Sequence, residues 1–166
     1  MTMPDPFRLR VLKALTAALE EITPANGYEF DLSGKVFRGR GVFGDSDPLP
    51  LISILEAIEE QPQLSSPPAG VDSTGPWELL VQGFVEDDDL DNPTDPAHRL
   101  MAEVKKRLVE ERVKQRQYNI LGMEGRVDEL RISPGVVRPA DDISGKAYFW
   151  LRLTPVLVEN LADPYV

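Results

Sequence analysis

The sequence predicts an α+β fold: a single domain over residues 1–166, with a mixed or antiparallel sheet, two main helices packed on it and long interface loops. Three observations carry this. Apolar residues recur at helical spacing near the start of the chain and again from Asp95. Several short apolar runs read as strands, the last of them with large side chains on both of its faces. Pro, Gly and Ser clusters separate these segments. A chain of 166 residues that is 42% hydrophobic is large enough to bury roughly 70% of its unfolded surface in one core.

The first helix is written by Phe7, Val11, Leu12, Leu15, Ala18, Leu19 and Ile22, which share one face. Pro24 and Asn26-Gly27 end it, since proline cannot continue the hydrogen-bond ladder and Asn-Gly favours a turn. Tyr28–Phe30 and Val36-Phe37 are short strand candidates around Ser33-Gly34. The length of Leu49–Ile58 leaves strand or helix open, and Pro48 and Pro50 flanking its start favour a strand. Gln61–Pro76 is rich in Pro, Ser and Gly and reads as a flexible loop. Trp77–Val85 is the next strand. The second helix buries Ala97, Leu100, Met101, Val104 and Leu108, with Asp95 as N-cap and Pro96 at its first position, until Gly122 and Gly125 break the chain. Glu129–Val137 and Lys146–Val158 form a closing strand pair. In the second of these, Ala147, Phe149, Leu151 and Leu153 face one way and Tyr148, Trp150, Arg152 and Thr154 the other. Both faces carry large rings, so the second one should meet helix one or a neighbouring subunit.

The chain has no cysteine, which excludes disulfides and thiolate metal sites. Its N-terminus lacks the layout of a secretion signal and no apolar run reaches membrane-spanning length, so a soluble, cytoplasmic chain is expected. The net charge of −10 is uneven: Asp95 to Arg116 holds seven Lys or Arg against four acids, +3, leaving −13 elsewhere. An acidic balance disfavours sequence-independent DNA binding. Such asymmetry suits a surface that meets another copy, with a solvated helix face as the plain alternative.

Enzyme chemistry finds little purchase. Gly39–Gly44 spells G-x-G-x-x-G, but Asp45-Ser46-Asp47-Pro48 follows where a dinucleotide site needs a helix. The run Asp87–Asn92 begins like a calcium loop, yet Asn92 and His98 stand where glycine and glutamate are required. His98 is the only histidine, and no G-x-S-x-G elbow accompanies it. The reading is therefore not an enzyme, with no cofactor and no metal.

Three stretches resemble the tail terminator proteins of long-tailed bacteriophages: Pro48–Glu60 (PLPLISILEAIEE), Trp77–Leu108 with its strand, acidic loop and helix, and Glu129–Val166, ending YFWLRLTPVLVENLADPYV. Together they span half the chain. The resemblance implies a virion protein of the head–tail junction, assembled in the host cytoplasm. It would form a homo-hexameric ring that caps the head-proximal end of the tail tube and stops its polymerisation. It would also offer a surface to the head–tail connector, with DNA passing through the lumen without sequence-specific binding. The partners implied are copies of itself, the tail tube protein and a connector or neck protein, and no membrane.

Three groups of residues follow as interface expectations. Lys105, Lys106, Arg107, Arg112, Lys114 and Arg116 would meet acids of the next subunit. Glu86, Asp87, Asp88, Asp89 and Asp91 would line the lumen or an interface, repelling passing DNA. Arg38, Arg40, Phe43, Leu64 and Val71 lie in loops that would grip the tube or connector. Another neck, tail-completion or head-closure protein is the alternative within this class. A small acidic DNA-mimic inhibitor or binding module is the alternative outside it.

Overall fold

The computed structural model describes residues 2–57 and 70–166. Helix α1 (Phe7–Glu20) buries Phe7, Val11, Leu15, Ala18 and Leu19, the face that the three-and-four spacing marks. A 3₁₀ turn over Pro24–Asn26 follows, and Gly27 takes a left-handed conformation (φ 87°). Seven strands form one mixed sheet: β1 (Val36–Arg38), β2 (Leu51–Glu56), β3 (Asp72–Pro76), β4 (Leu79–Val85), β5 (Val127–Ile132), β6 (Val136–Arg138) and β7 (Ala147–Asn160). Helix α2 (Asp95–Arg112) lies between β4 and β5 in the chain.

Strand β7 organises the sheet. Leu153 pairs with both Leu79 and Ile132, and Val156 with both Pro76 and Glu129. Strands β3 and β4 therefore follow one another along one edge of β7, and β5 and β6 along the other. Strand β2 is antiparallel to β4, and β1 closes that side parallel to β2. Alternation along each strand gives the sheet two faces. Val36, Ile52, Ile54, Leu79, Val81, Val85, Ala147, Phe149, Leu151 and Leu153 share one core with the buried stripes of both helices. Both helices thus cover the same face.

Several local expectations are corrected. Tyr28–Phe30 is not a strand: the Glu103 carboxylate on α2 accepts the backbone N–H groups of Glu29 and Phe30, so no neighbouring strand is needed to satisfy them. Asp72–Pro76 is a strand and not loop, because the β4–β7 ladder continues past Trp77, whose N–H donates to Pro155 (2.9 Å). Residues 58–69, which hold most of the expected flexible loop and Leu64, lie outside the described residues. Glu129–Val137 divides at Ser133–Gly135. Gly135 (φ 80°) is required there, since a Cβ would come within 2.6 Å of Met101 Sδ. Thr94, not Asp95, precedes the first turn of α2, and no side chain caps it. That helix stops at Arg112, so Lys114 and Arg116 lie in the turn beyond it, where Gln115, Arg116 and Gln117 all have positive φ.

Candidate functional site

The second face of the sheet has two unlike halves. Because β1 and β2 are parallel, the chain must return from the end of one to the start of the other. It does so across this face, through Gly39–Pro50. Ser53 Oγ donates to the carbonyl of Arg40, fixing the return path against the sheet. Phe43 packs on Phe37 (5.9 Å between centroids) and Phe84 (5.4 Å), and Phe84 stacks on Tyr148 (6.0 Å). The Arg40 guanidinium lies over both Phe37 and Phe43 and pairs with Asp47 at 2.7 Å. The Gly44 N–H and Arg40 together hold the Asp47 carboxyl below its usual range. Leu51, Ser53 and Tyr148 are buried beneath this clasp.

Among the described residues nothing crosses the other half. Leu80, Ser133, Pro134, Gly135, Val136, Trp150 and Arg152 line an open groove of about 450 Å³. Register places Val136 and Gln82 on either side of Trp150, and Leu80 beside Arg152. Trp150 is 41% and Val136 47% exposed, large values for apolar side chains in mid-sheet. Around the groove stand three exposed guanidiniums, each with one carboxylate of its own chain: Arg131 with Glu129 (2.8 Å), Arg138 with Asp141 (3.9 Å) and Arg152 with Glu78 (3.0 Å). Helix one packs on the opposite face with the core, so among the described residues it does not provide the covering expected for this one.

The acidic loop lies at the opposite end of β4. Glu86 accepts a hydrogen bond from Lys146 (3.1 Å), tying the loop to the turn before β7. Asp89 accepts the N–H groups of Asn92 (2.9 Å) and Asp91 (3.0 Å), which hold its carboxyl below the usual range. Asp88, Asp89 and Asp91 are exposed, and Asp87 is half-buried. Between them Leu90 is 93% exposed.

The basic residues of α2 are largely committed within the chain. Arg107 is buried and pairs with Glu21 and Glu111 at 2.6 Å and with Glu110 at 3.6 Å, so it is closed to a neighbour. Lys114 shares Glu111 (2.6 Å), Lys105 donates to the Pro134 carbonyl and Lys106 lies over the Tyr28 ring at 4.8 Å. Arg112 is half-buried and Arg116 exposed. The net positive stretch makes a weaker positive surface than its sequence suggests, because Glu21 and Glu29 from outside it pair with Arg107 and Arg99.

Of the loop residues, Arg40 and Phe43 clasp their own sheet instead of projecting toward a partner. Arg38 is exposed at the end of β1. Val71 is exposed, and its carbonyl accepts the Leu161 N–H (2.8 Å). His98 is exposed on the first turn of α2. Among the described residues no group of three or more His, Asp or Glu is arranged to hold a metal ion, and no helix is long and apolar enough to cross a membrane. The groove escaped the sequence reading. The two-faced rings of β7 were its one visible signal, and the break at Pro134-Gly135 that shapes it was read as continuous strand. Comparison with family models and with curated proteins returns no match.

Proposed function

We propose that this protein is a structural subunit that assembles with copies of itself into a hexameric ring capping the head-proximal end of a phage tail tube. In that role it ends tube growth and offers the head connector its docking surface, while DNA passes through the lumen. The observation that carries the reading is the sheet face that the described residues leave half uncovered. Trp150, Val136 and Leu80 form an apolar groove on the side that both helices leave open, and a subunit designed for assembly keeps such a surface for a protein neighbour. The resemblance of Pro48–Glu60, Trp77–Leu108 and Glu129–Val166 to tail terminators supplies the identity of that assembly.

Native mass spectrometry of the purified protein, alone and mixed with the tail tube protein of its phage, tests this. The expected species is six times 18.5 kDa, formed alone or on the tube, with rings visible at tube ends by negative-stain microscopy. A chain that stays monomeric and ignores the tube overturns the reading.

A further inference from the structure

We propose that the occupant of the Trp150 groove is the Leu90 tip of a second copy of this chain. The inference rests on the ring-forming reading above and names its contact. Leu90 is 93% exposed and sits alone among Asp87, Asp88, Asp89 and Asp91. The two Asp89 hydrogen bonds brace the turn that presents it, so little ordering cost remains when it docks. The groove supplies what this tip lacks, an apolar floor of Trp150, Val136 and Leu80 with a single charged lining residue, Arg152. Arg152, Arg131 and Arg138 each keep more than half of the side chain exposed after meeting one carboxylate, so a guanidinium edge is open to an incoming aspartate.

Geometry makes the contact intermolecular. Gln82, which lies beside Trp150 at the centre of the groove, is three residues before Val85 on β4, about 10 Å at the rise of a strand. In its own chain Leu90 is 93% exposed and is no part of the groove lining, so the leucine that fills the groove comes from another copy. Tip and groove are different surfaces, so the contact is head-to-tail, and repeating it generates a ring when the rotation closes.

The cysteine-free chain permits a clean test. Leu90→Cys and Val136→Cys proteins are prepared separately, mixed and mildly oxidised, with Val42→Cys, more exposed (83% against 47%), as a stringent control. A disulfide needs Cα atoms within about 7 Å, so only seated tips cross-link efficiently. The expected result is an L90C–V136C dimer at least tenfold enriched over L90C–V42C, and a ladder that ends in a closed ring for the double variant. Leu90→Ala and Trp150→Ala should each weaken self-association roughly tenfold or more, and their combination no further than the worse of the two. No enrichment over the control overturns the contact. A wild-type hexamer without the cross-link overturns the contact alone, whereas a monomer without it overturns the assembly reading as well. A ladder closing at another number supports the contact and overturns the hexamer.

Discussion

At the scale of single residues, two positions show how tightly the sequence is tied to the fold. Gly83 stands opposite Phe149 on the helix-covered face, and a Cβ there would lie 2.1 Å from the Phe149 ring. The ring fills the space that the missing side chain leaves. Gly83→Ala is therefore an overpacking change in a buried layer, expected to cost about 1–3 kcal/mol in urea unfolding, and a Phe149→Leu background should recover part of it. Tyr28 is the second case. Burial, followed by the hydrogen bond its hydroxyl donates to Glu110 (3.0 Å), pushes its pKa from 10.0 up to about 12. The folded state thus holds the phenolic proton more firmly than the unfolded chain. The associated stability is complete below pH 10 and is lost as pH rises toward 12. Thermal unfolding of wild type and Tyr28→Phe across pH 9 to about 12 should show a steeper alkaline decline in wild type; parallel curves would refute the assignment. Neither position was legible in the sequence. Gly83 reads as a blemish in a strand, and Tyr28 reads as a strand residue, because the partners that explain them lie 66 and 82 positions away.

At the scale of elements, legibility follows periodicity. Helix α1 and the apolar stripe of α2 were readable because their burial has the period of the helix itself, and β7 because its long run of ring-bearing and branched residues suits a strand with side chains on two faces. Strand β3 was not, since DSTGP carries no apolar pattern and forms only by extending a ladder already begun by β4. The return loop Gly39–Pro50 was readable as a loop but not as a clasp. Its anchor is Arg40–Asp47, a contact between residues seven apart that resembles ordinary turn chemistry in the sequence. Asp47→Ala removes the acceptor for both Arg40 and the Gly44 N–H, so the Gly44 amide should exchange with solvent markedly faster while the amides of β7 keep their protection. The lowered pKa fixes the pH sense. The clasp is fully held above the ordinary carboxylate value of 3.8 and releases only as pH falls through the depressed folded value. Hydrogen exchange at Gly44 should thus be flat, after correction for intrinsic rates, from neutral pH to about 4. Protection lost near pH 6 would show that Asp47 is not the anchor.

At the scale of the whole molecule, the sequence exposed how unevenly charge is spread without revealing where it acts. The +3 stretch of Asp95–Arg116, a sum that already includes Glu110 and Glu111, is reduced where it lies by Glu21 on Arg107 and Glu29 on Arg99. The guanidiniums that face outward around the groove come from β5, β6 and β7, and only the sheet register gathers them. Two electrostatic effects then oppose one another when copies meet. Each copy carries −10 overall and repels the next, whereas the Asp-rich tip and the Arg-rimmed groove attract at contact. Range decides between them. At about 10 mM salt the Debye length is roughly 30 Å, so net repulsion acts over a whole subunit; at about 0.15 M it is roughly 8 Å, and only groups near contact are felt. Because the proposed contact has Leu90 and Trp150 as its apolar centre, further screening should remove little of its strength. Self-association should therefore tighten between about 10 mM and 0.15 M salt and hold steady toward about 1 M. Sedimentation velocity over that range measures it. An assembly that dissolves steadily with added salt would mean that ion pairs, and not the leucine in its groove, hold the copies together.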